Sequence, residues 1–331
     1  MNQPTMRAQI APRYGAPDIF QLVDLDRPEP EPNQVRVKIS STTVGPADCA
    51  LRAGKPFMVK LIFGLRKPKY PVLGAEMAGV VDAVGSAVTR FRVGDAVLVH
   101  SPDIMGGYAE YLCLPESAQI VPKPTAISFD EAVAIADGAS TALVFLRDGA
   151  KLQPGQRVLI NGGSGSVGAA GIQLAKLLGA QVTAVASAKN QAFLRSLGAD
   201  EVINYEVEDF TQNGKTYDVI FDAVGKSSYR KCRNSLGQAG VYLTTVPTIG
   251  ILLRSLFTAG SQKRRGKFIA AGLTQTPEDL IELLQLAESK QLRGIIDKTY
   301  PLADLSQAHT YVETGRKVGT VVIAVGEGME G

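Results

Sequence analysis

Between Val158 and Gly179 the chain writes a strand, a turn and a helix in direct succession. The apolar run Val158-Leu159-Ile160-Asn161 is short enough for a buried strand, three glycines follow, and Val167, Gly171, Leu174 and Leu178 then recur at helical spacing. The glycines stand as G-x-G-x-x-G at Gly163, Gly165 and Gly168. Each has a physical task if the turn holds a pyrophosphate. Gly163 permits a tight turn, Gly165 lets the backbone approach the phosphates, and Gly168 lets the helix pack closely on the strand. Free amides at the helix start, those of Ser166 and Val167, add the positive end of the helix dipole. A glycine cluster alone can be a structural turn; the strand before it and the helix after it favour a dinucleotide site.

The second strand carries the cofactor choice. Residues 181–186 read as an apolar β segment that ends at Ser187-Ala188-Lys189-Asn190. In an NAD site an acidic residue about 20 positions past the glycines holds the ribose 2′-hydroxyl. Ser187 stands at that place, and a hydroxyl with the nearby Lys189 ammonium suits a 2′-phosphate. The expected cofactor is therefore NADP(H); the competing reading of Ser187 and Lys189 is a polar surface loop.

The rest of the chain falls into two textures. From Gln156 onward, strand candidates around Val158, Val182, Val202, Val219, Val241 and Phe268 alternate with helical segments, and residues 130–149 also suit a helix. Such alternation implies an α/β fold, a doubly wound parallel sheet covered by helices on both faces, over residues 124–272. Residues 1–123 are mostly β, with strands readable at 35–39, 72–84, 96–99 and 108–114. After Gly272 come a helix opened by Thr276 and Pro277, a second short helix over 304–314 and a strand over 318–325. Two helices and one strand do not complete a third domain, so residues 273–331 are expected to join the N-terminal β domain.

Composition narrows the partners. A net charge of +3 on 331 residues offers no dedicated nucleic-acid surface, and Lys263-Arg264-Arg265 with Lys267 reads as a solvated loop. Cys49, Cys113 and Cys232 form no C-x-x-C pair, so neither a disulfide framework nor a cysteine-built zinc site is indicated. The start of the sequence lacks a basic stretch followed by an apolar core. The apolar stretch 249–257 is too short to span a bilayer and holds Arg254. No integral membrane segment and a cytoplasmic setting are expected. The 249–267 stretch is open between a substrate lid, a subunit contact and a weak membrane-surface contact, with a mobile loop as the simplest account.

Further ordered segments carry a resemblance. They are Val44-Gly45-Pro46-Ala47-Asp48, Pro71-Val72-Leu73-Gly74-Ala75-Glu76-Met77-Ala78-Gly79, Val93-Gly94-Asp95, Gly107-Tyr108-Ala109-Glu110-Tyr111, Leu197-Gly198-Ala199-Asp200 and Ile203-Asn204-Tyr205. With the glycine motif they resemble the medium-chain dehydrogenase/reductase superfamily. Within it the chain looks like the zinc-independent quinone oxidoreductases, near the chloroplast envelope quinone oxidoreductase homologues. The resemblance implies a GroES-like β-rich domain and a Rossmann domain. It also implies nicotinamide contacts from Thr141 and from the turn holding Val224 and Gly225, Tyr205 beside Ser187 at the 2′-phosphate, and a homodimer.

Zinc-dependent relatives carry Cys and His where this chain has Gly45 and Ala75, so no metal is expected. Without a Lewis acid the natural chemistry is conjugate reduction, with hydride delivered from NADPH to the β-carbon of an enone or enal, or to a quinone. Asp48 is the candidate proton donor, and it can equally brace a loop; Cys49 and Tyr108 lie nearby by the same resemblance. Two other readings stay open, an NADPH-binding sensor or structural protein with little turnover and a zinc-independent ketone reductase.

Overall fold

A computed structural model describes residues 4–257, 263–269, 271 and 274–326. The chain divides into two compact units, residues 1–137 with 276–288 and 294–331, and residues 138–275 with 289–293. The first crossing falls inside helix α3 (Phe129–Leu143) rather than at 123–124, because a helix gives no compositional break where packing changes partner. The boundary read at 272–273 lies outside the described residues.

In the first unit β1 (Thr5–Ile10) and β2 (Gln21–Asp26) form an antiparallel pair. The main sheet is organised by the long β3 (Gln34–Val44), followed in the chain by α1 (Pro46–Ala53), α2 (Phe57–Phe63), β4 (Glu76–Val84), β5 (Ala96–His100), β6 (Tyr111–Pro115) and β7 (Ile120–Pro122). With two strands of the tail, β14 (Ile296–Pro301) and β15 (Thr320–Ala324), the strand order is β14-β15-β3-β4-β5-β7, with β6 also on β3. The core gathers Val35, Val37, Ile39, Met77, Val81, Val97, Leu114 and Ile120 with Leu305 and Val312 of the tail, each worth roughly 1.5–3 kcal/mol of burial.

Two strands start later than the apolar pattern suggests. The segment 72–75 stays irregular because Gly74 takes φ 93°, and pairing begins at Glu76; likewise Gly106 at φ 110° delays β6 to Tyr111. The tail holds α8 (Pro277–Glu288), β14 (Ile296–Pro301), α9 (Leu305–Glu313) and β15 (Thr320–Ala324), one strand more than expected. No residue of β14 is buried, so it carried no apolar alternation to read. Thr276 and Asp279 cap α8 reciprocally, Asp279 N–H donating to Thr276 Oγ1 at 3.3 Å and Thr276 N–H to Asp279 Oδ2 at 3.0 Å.

The second unit is a six-stranded sheet of β8 (Arg157–Asn161), β9 (Gln181–Ala186), β10 (Glu201–Asn204), β11 (Tyr217–Asp222), β12 (Leu236–Thr244) and β13 (Arg265–Phe268). Every pair in it is parallel. Its order, β10-β9-β8-β11-β12-β13, is the doubly wound arrangement whose direction of growth reverses between β8 and β11, where such sheets bind ligands. Helices α4 (Ser166–Leu177), α5 (Gln191–Ser196) and α6 (Tyr229–Cys232) connect its strands.

Three local readings change. The helix expected over 130–149 is α helical to Leu143 and continues as a π turn over Val144–Ala150. Residues 249–257 form helix α7 (Ile249–Phe257), not a loop, with Ile251 buried. The basic cluster enters β13 at Arg265; Arg264 Nε donates to Leu236 O at 3.0 Å and Lys267 Nζ to Gly149 O at 3.0 Å, so two of its cations bind backbone carbonyls. Residues 258–262 of the same stretch lie outside the described residues.

Candidate functional site

The turn after β8 is built from missing side chains. Gly162 holds the left-handed φ of 82°, so it makes the tight turn that the motif spacing assigns to Gly163. Gly163 instead packs: a Cβ there would lie 3.2 Å from both Ala184 Cβ and Ile172 Cδ1. Gly168 serves the approach of α4 to the strand, since its Cβ would fall 2.2 Å from Gly162 O. A Cβ on Gly165 would meet only Gly162 O, at 3.8 Å. Open space therefore lies above Gly165, where α4 begins with Ser166 and Val167. The turn fits a pyrophosphate there, with close approach to backbone and the positive end of a 12-residue helix.

Several of the other expected residues gather around this turn. Val224 covers it, because a Cβ on Gly162 would sit 2.3 Å from Val224 Cγ1, and Gly225 turns at φ 64° beside it. The organiser of that second turn is Asp222. It is fully buried and accepts from Asn161 Nδ2 and Tyr242 Oη at 2.9 Å each and from the Ser227 amide at 2.8 Å. Burial and this carboxylate push the Tyr242 phenol well above its ordinary value. Thr141, half-buried, lies one helical turn past Gly138, whose Cβ would be 2.6 Å from Ser166 O.

At the end of β9, Ser187 is buried, Lys189 is exposed in a short 3₁₀ turn and Tyr205 is 61% exposed. The Tyr205 amide donates to Ala186 O at 3.2 Å, so Ser187 and Tyr205 are neighbours. Position 187 has no carboxylate, yet the fold brings one: Glu206 Oε2 accepts from the Ala188 amide at 3.2 Å. Glu206 follows Tyr205 in sequence, and only the pairing of β10 with β9 reveals where it reaches.

In the first unit Asp48 is 5% exposed on α1, and its Oδ2 accepts from the Gly45 amide at 2.8 Å. The carboxylate thus braces the start of its own helix. Burial, then the charges of Glu76 and Asp137, push its pKa well above the carboxylate range against the Gly45 hydrogen bond. Glu76 goes the other way. Burial would raise it, but the His100 imidazole at 3.4 Å and the Thr43 hydroxyl at 3.3 Å overcome that and hold it below its usual value.

Cys49 Sγ lies 3.4 Å from His309 Nδ1. Burial drives the thiol up to about 12 and the imidazole down to about 3, so the pair is neutral packing, not a nucleophile with its base. Tyr108 is buried and donates to Thr43 O at 3.1 Å. Gly45 and Ala75 offer no ligating side chain, and among the described residues no three His, Cys, Asp or Glu side chains are gathered to hold a metal ion.

Known proteins match this architecture. The alcohol dehydrogenase GroES-like domain matches residues 31–125, and the zinc-binding dehydrogenase profile matches residues 197–323. A quinone oxidoreductase of Pseudomonas aeruginosa is 31% identical over 96% of this chain and 98% of that one. This chain belongs to the quinone oxidoreductase-like family of the medium-chain dehydrogenase/reductase superfamily, and it is an oxidoreductase. The quinone oxidoreductase of Coxiella burnetii superposes with a TM-score of 0.87 at 32% identity, covering 98% of this chain and all of that one. A 2-methylene-furan-3-one reductase of Solanum lycopersicum is 32% identical over 96% of this chain and 79% of its own length. Among the described residues no helix is long and apolar enough to cross a membrane.

Proposed function

We propose that this quinone oxidoreductase-like protein is an NADPH-dependent reductase that adds hydride to the β-carbon of an enone or enal, or to a quinone, without a metal ion. The observation that carries the reading is the open approach above Gly165 at the carboxyl end of β8, next to the point where the sheet reverses. Bound nicotinamide supplies the hydride. The chain's part is to hold it, orient it and manage a proton.

Gly163, Gly165 and Gly168 with the amides of Ser166 and Val167 take the pyrophosphate, Thr141, Val224 and Gly225 the nicotinamide end, and Ser187, Lys189 and Tyr205 the 2′-phosphate. Lys189, Tyr205 and Glu206 are exposed, so the two phosphate partners can close while the Glu206 carboxylate swings off the Ala188 amide. Asp48 is the proposed proton donor: one oxygen is occupied by the Gly45 amide, and burial favours a proton on the carboxyl. Gly45 and Ala75 support metal independence. The names of the bacterial and tomato relatives support the acceptor class. A homodimer, on family likeness, and a cytoplasmic setting, on three unpaired cysteines, complete the reading.

The test is a panel of enones, enals and quinones mixed with protein and NADPH, read by loss of nicotinamide absorbance with and without a chelator. Turnover unaffected by chelation is expected. Deuterium from labelled NADPH belongs on the β-carbon of an enone; label on the carbonyl carbon identifies a ketone reductase instead. The commitment of Asp48 to its helix cap favours one alternative, a nucleotide-binding protein with little turnover. Tight NADPH binding with no acceptor reduced decides for it.

A further inference from the structure

Between Lys55 and Lys69 the first unit presents an apolar surface that its own core does not use. Helix α2 buries none of its seven residues, and Phe57, Met58, Leu61, Ile62 and Leu65 are 66, 58, 53, 67 and 64% exposed. The segment is fastened at its backbone. Tyr14 Oη donates to Gly64 O at 2.7 Å, the Gly64 amide to Lys60 O at 3.0 Å and the Lys69 amide to Phe63 O at 2.6 Å, while Lys60 Nζ lies 5.4 Å over the Tyr14 ring. The side chains are thus held outward on an anchored scaffold.

Charge and composition say what could cover them. Lys55, Lys60, Arg66, Lys67 and Lys69 stand in this stretch, and no carboxylate lies in the sequence between Asp48 and Glu76. Without these five the chain has 30 basic against 32 acidic residues, so this segment accounts for its positive balance. Lys55, Arg66, Lys67 and Lys69 are exposed. From Lys55 to Lys69 the sequence is Lys-Pro-Phe-Met-Val-Lys-Leu-Ile-Phe-Gly-Leu-Arg-Lys-Pro-Lys, with no Ser, Thr, Asn, Gln or His. Protein interfaces rely on directional polar contacts around an apolar centre, and only cations are on offer. A medium that is apolar, fluid and diffusely negative asks for nothing more.

We propose that residues 55–69 dock the protein on the surface of an anionic phospholipid bilayer. The apolar side chains of α2 and Leu65 enter the headgroup boundary, and Lys55, Arg66, Lys67 and Lys69 lie against lipid phosphates. A second copy of the chain suits the surface less well, since a two-fold contact sets the basic stretch against itself. The seven-residue α2 lies on the bilayer and cannot span it. Neither cofactor nor acceptor enters this inference, so it stands or falls apart from the catalytic reading.

The test is co-sedimentation of the full chain with vesicles of phosphatidylcholine alone or mixed with phosphatidylglycerol. Partition onto the mixed vesicles is expected to exceed that onto neutral ones at least about tenfold and to fall as salt is added. The double substitutions Phe57→Ser with Ile62→Ser, and Arg66→Glu with Lys67→Glu, should each cut partition about tenfold or more and leave the melting temperature unchanged. Equal partition onto both vesicles overturns the proposal, as does full partition by both double variants. It is also overturned if vesicles fail to bind while the chain self-associates through Ile62 or takes up polyglutamate.

Discussion

The glycine turn after β8 and the acid cluster around α1 are built on opposite principles. At the turn the groups proposed to hold the cofactor are backbone amides, and the critical property of Gly163, Gly165 and Gly168 is the atom they lack. In the cluster the working groups are side chains whose charges depend on one another: Asp48 is pushed up and Glu76 is held down. Close by, His309 is driven down to about 3 beside a Cys49 driven up to about 12. The turn should therefore respond to volume and ignore pH, and the cluster should do the reverse.

The hardest blow to the turn is Gly168→Val. Its Cβ has only backbone to displace, Gly162 O at 2.2 Å, so a loss of about 3 kcal/mol in stability and of all measurable NADPH binding is expected by thermal melting and fluorescence titration. Next comes Ser187→Asp, which sets a carboxylate where the 2′-phosphate is proposed to lie and should weaken NADPH about 100-fold while sparing NADH. An unchanged ratio of the two affinities removes Ser187 from that role. Glu206→Gln works in the opposite sense and should tighten NADPH by about fivefold, a charge effect of about 1 kcal/mol. Gly165→Ala sharpens the comparison most, because its Cβ meets no protein atom closer than 3.8 Å. It should cost about tenfold in NADPH affinity with no shift in melting temperature.

The cluster is probed with pH. His309 stays neutral in the fold down to about 3, whereas the unfolded chain takes up its proton near 6.5. That stability is present above 6.5 and is lost as pH falls, at about 1.4 kcal/mol per unit below it. His309→Leu should flatten this acid limb in chemical denaturation, and an unaltered slope assigns the loss to another group. Asp48 has the opposite sign: its raised pKa makes stability fullest below the unfolded carboxylate value and erodes it as pH rises. Asp48→Asn keeps an acceptor for the Gly45 amide and should gain about 1 kcal/mol at neutral pH, while slowing any turnover that draws its proton from this carboxyl.

The same contrast explains what could be read in advance. The parallel sheet was legible because strands buried on both faces are continuously apolar, as at Val158, Leu159 and Ile160, and the glycine turn because its spacing is a backbone requirement. Which glycine makes the turn was not legible, since Gly162 and Gly163 are adjacent and only φ separates their tasks. Strand β14 was missed because it edges its sheet with no buried residue. Glu206, Asp222, His100 and Asp137 act through partners far away in sequence, and no local pattern marks them. Asp48 could be picked out by resemblance, but its brace to Gly45 is a fact of geometry.

One pairing bears on how the protein is made. Val321 of β15 lies opposite Val44 of β3, and all six strands of the parallel sheet fall between them in the chain. On the ribosome the parallel-sheet half is therefore made before the β-rich half can close its sheet. Until then Ser41–Val44 of β3, the end that β6 does not reach, wait with one side unpaired, an exposed edge of the kind chaperones shield.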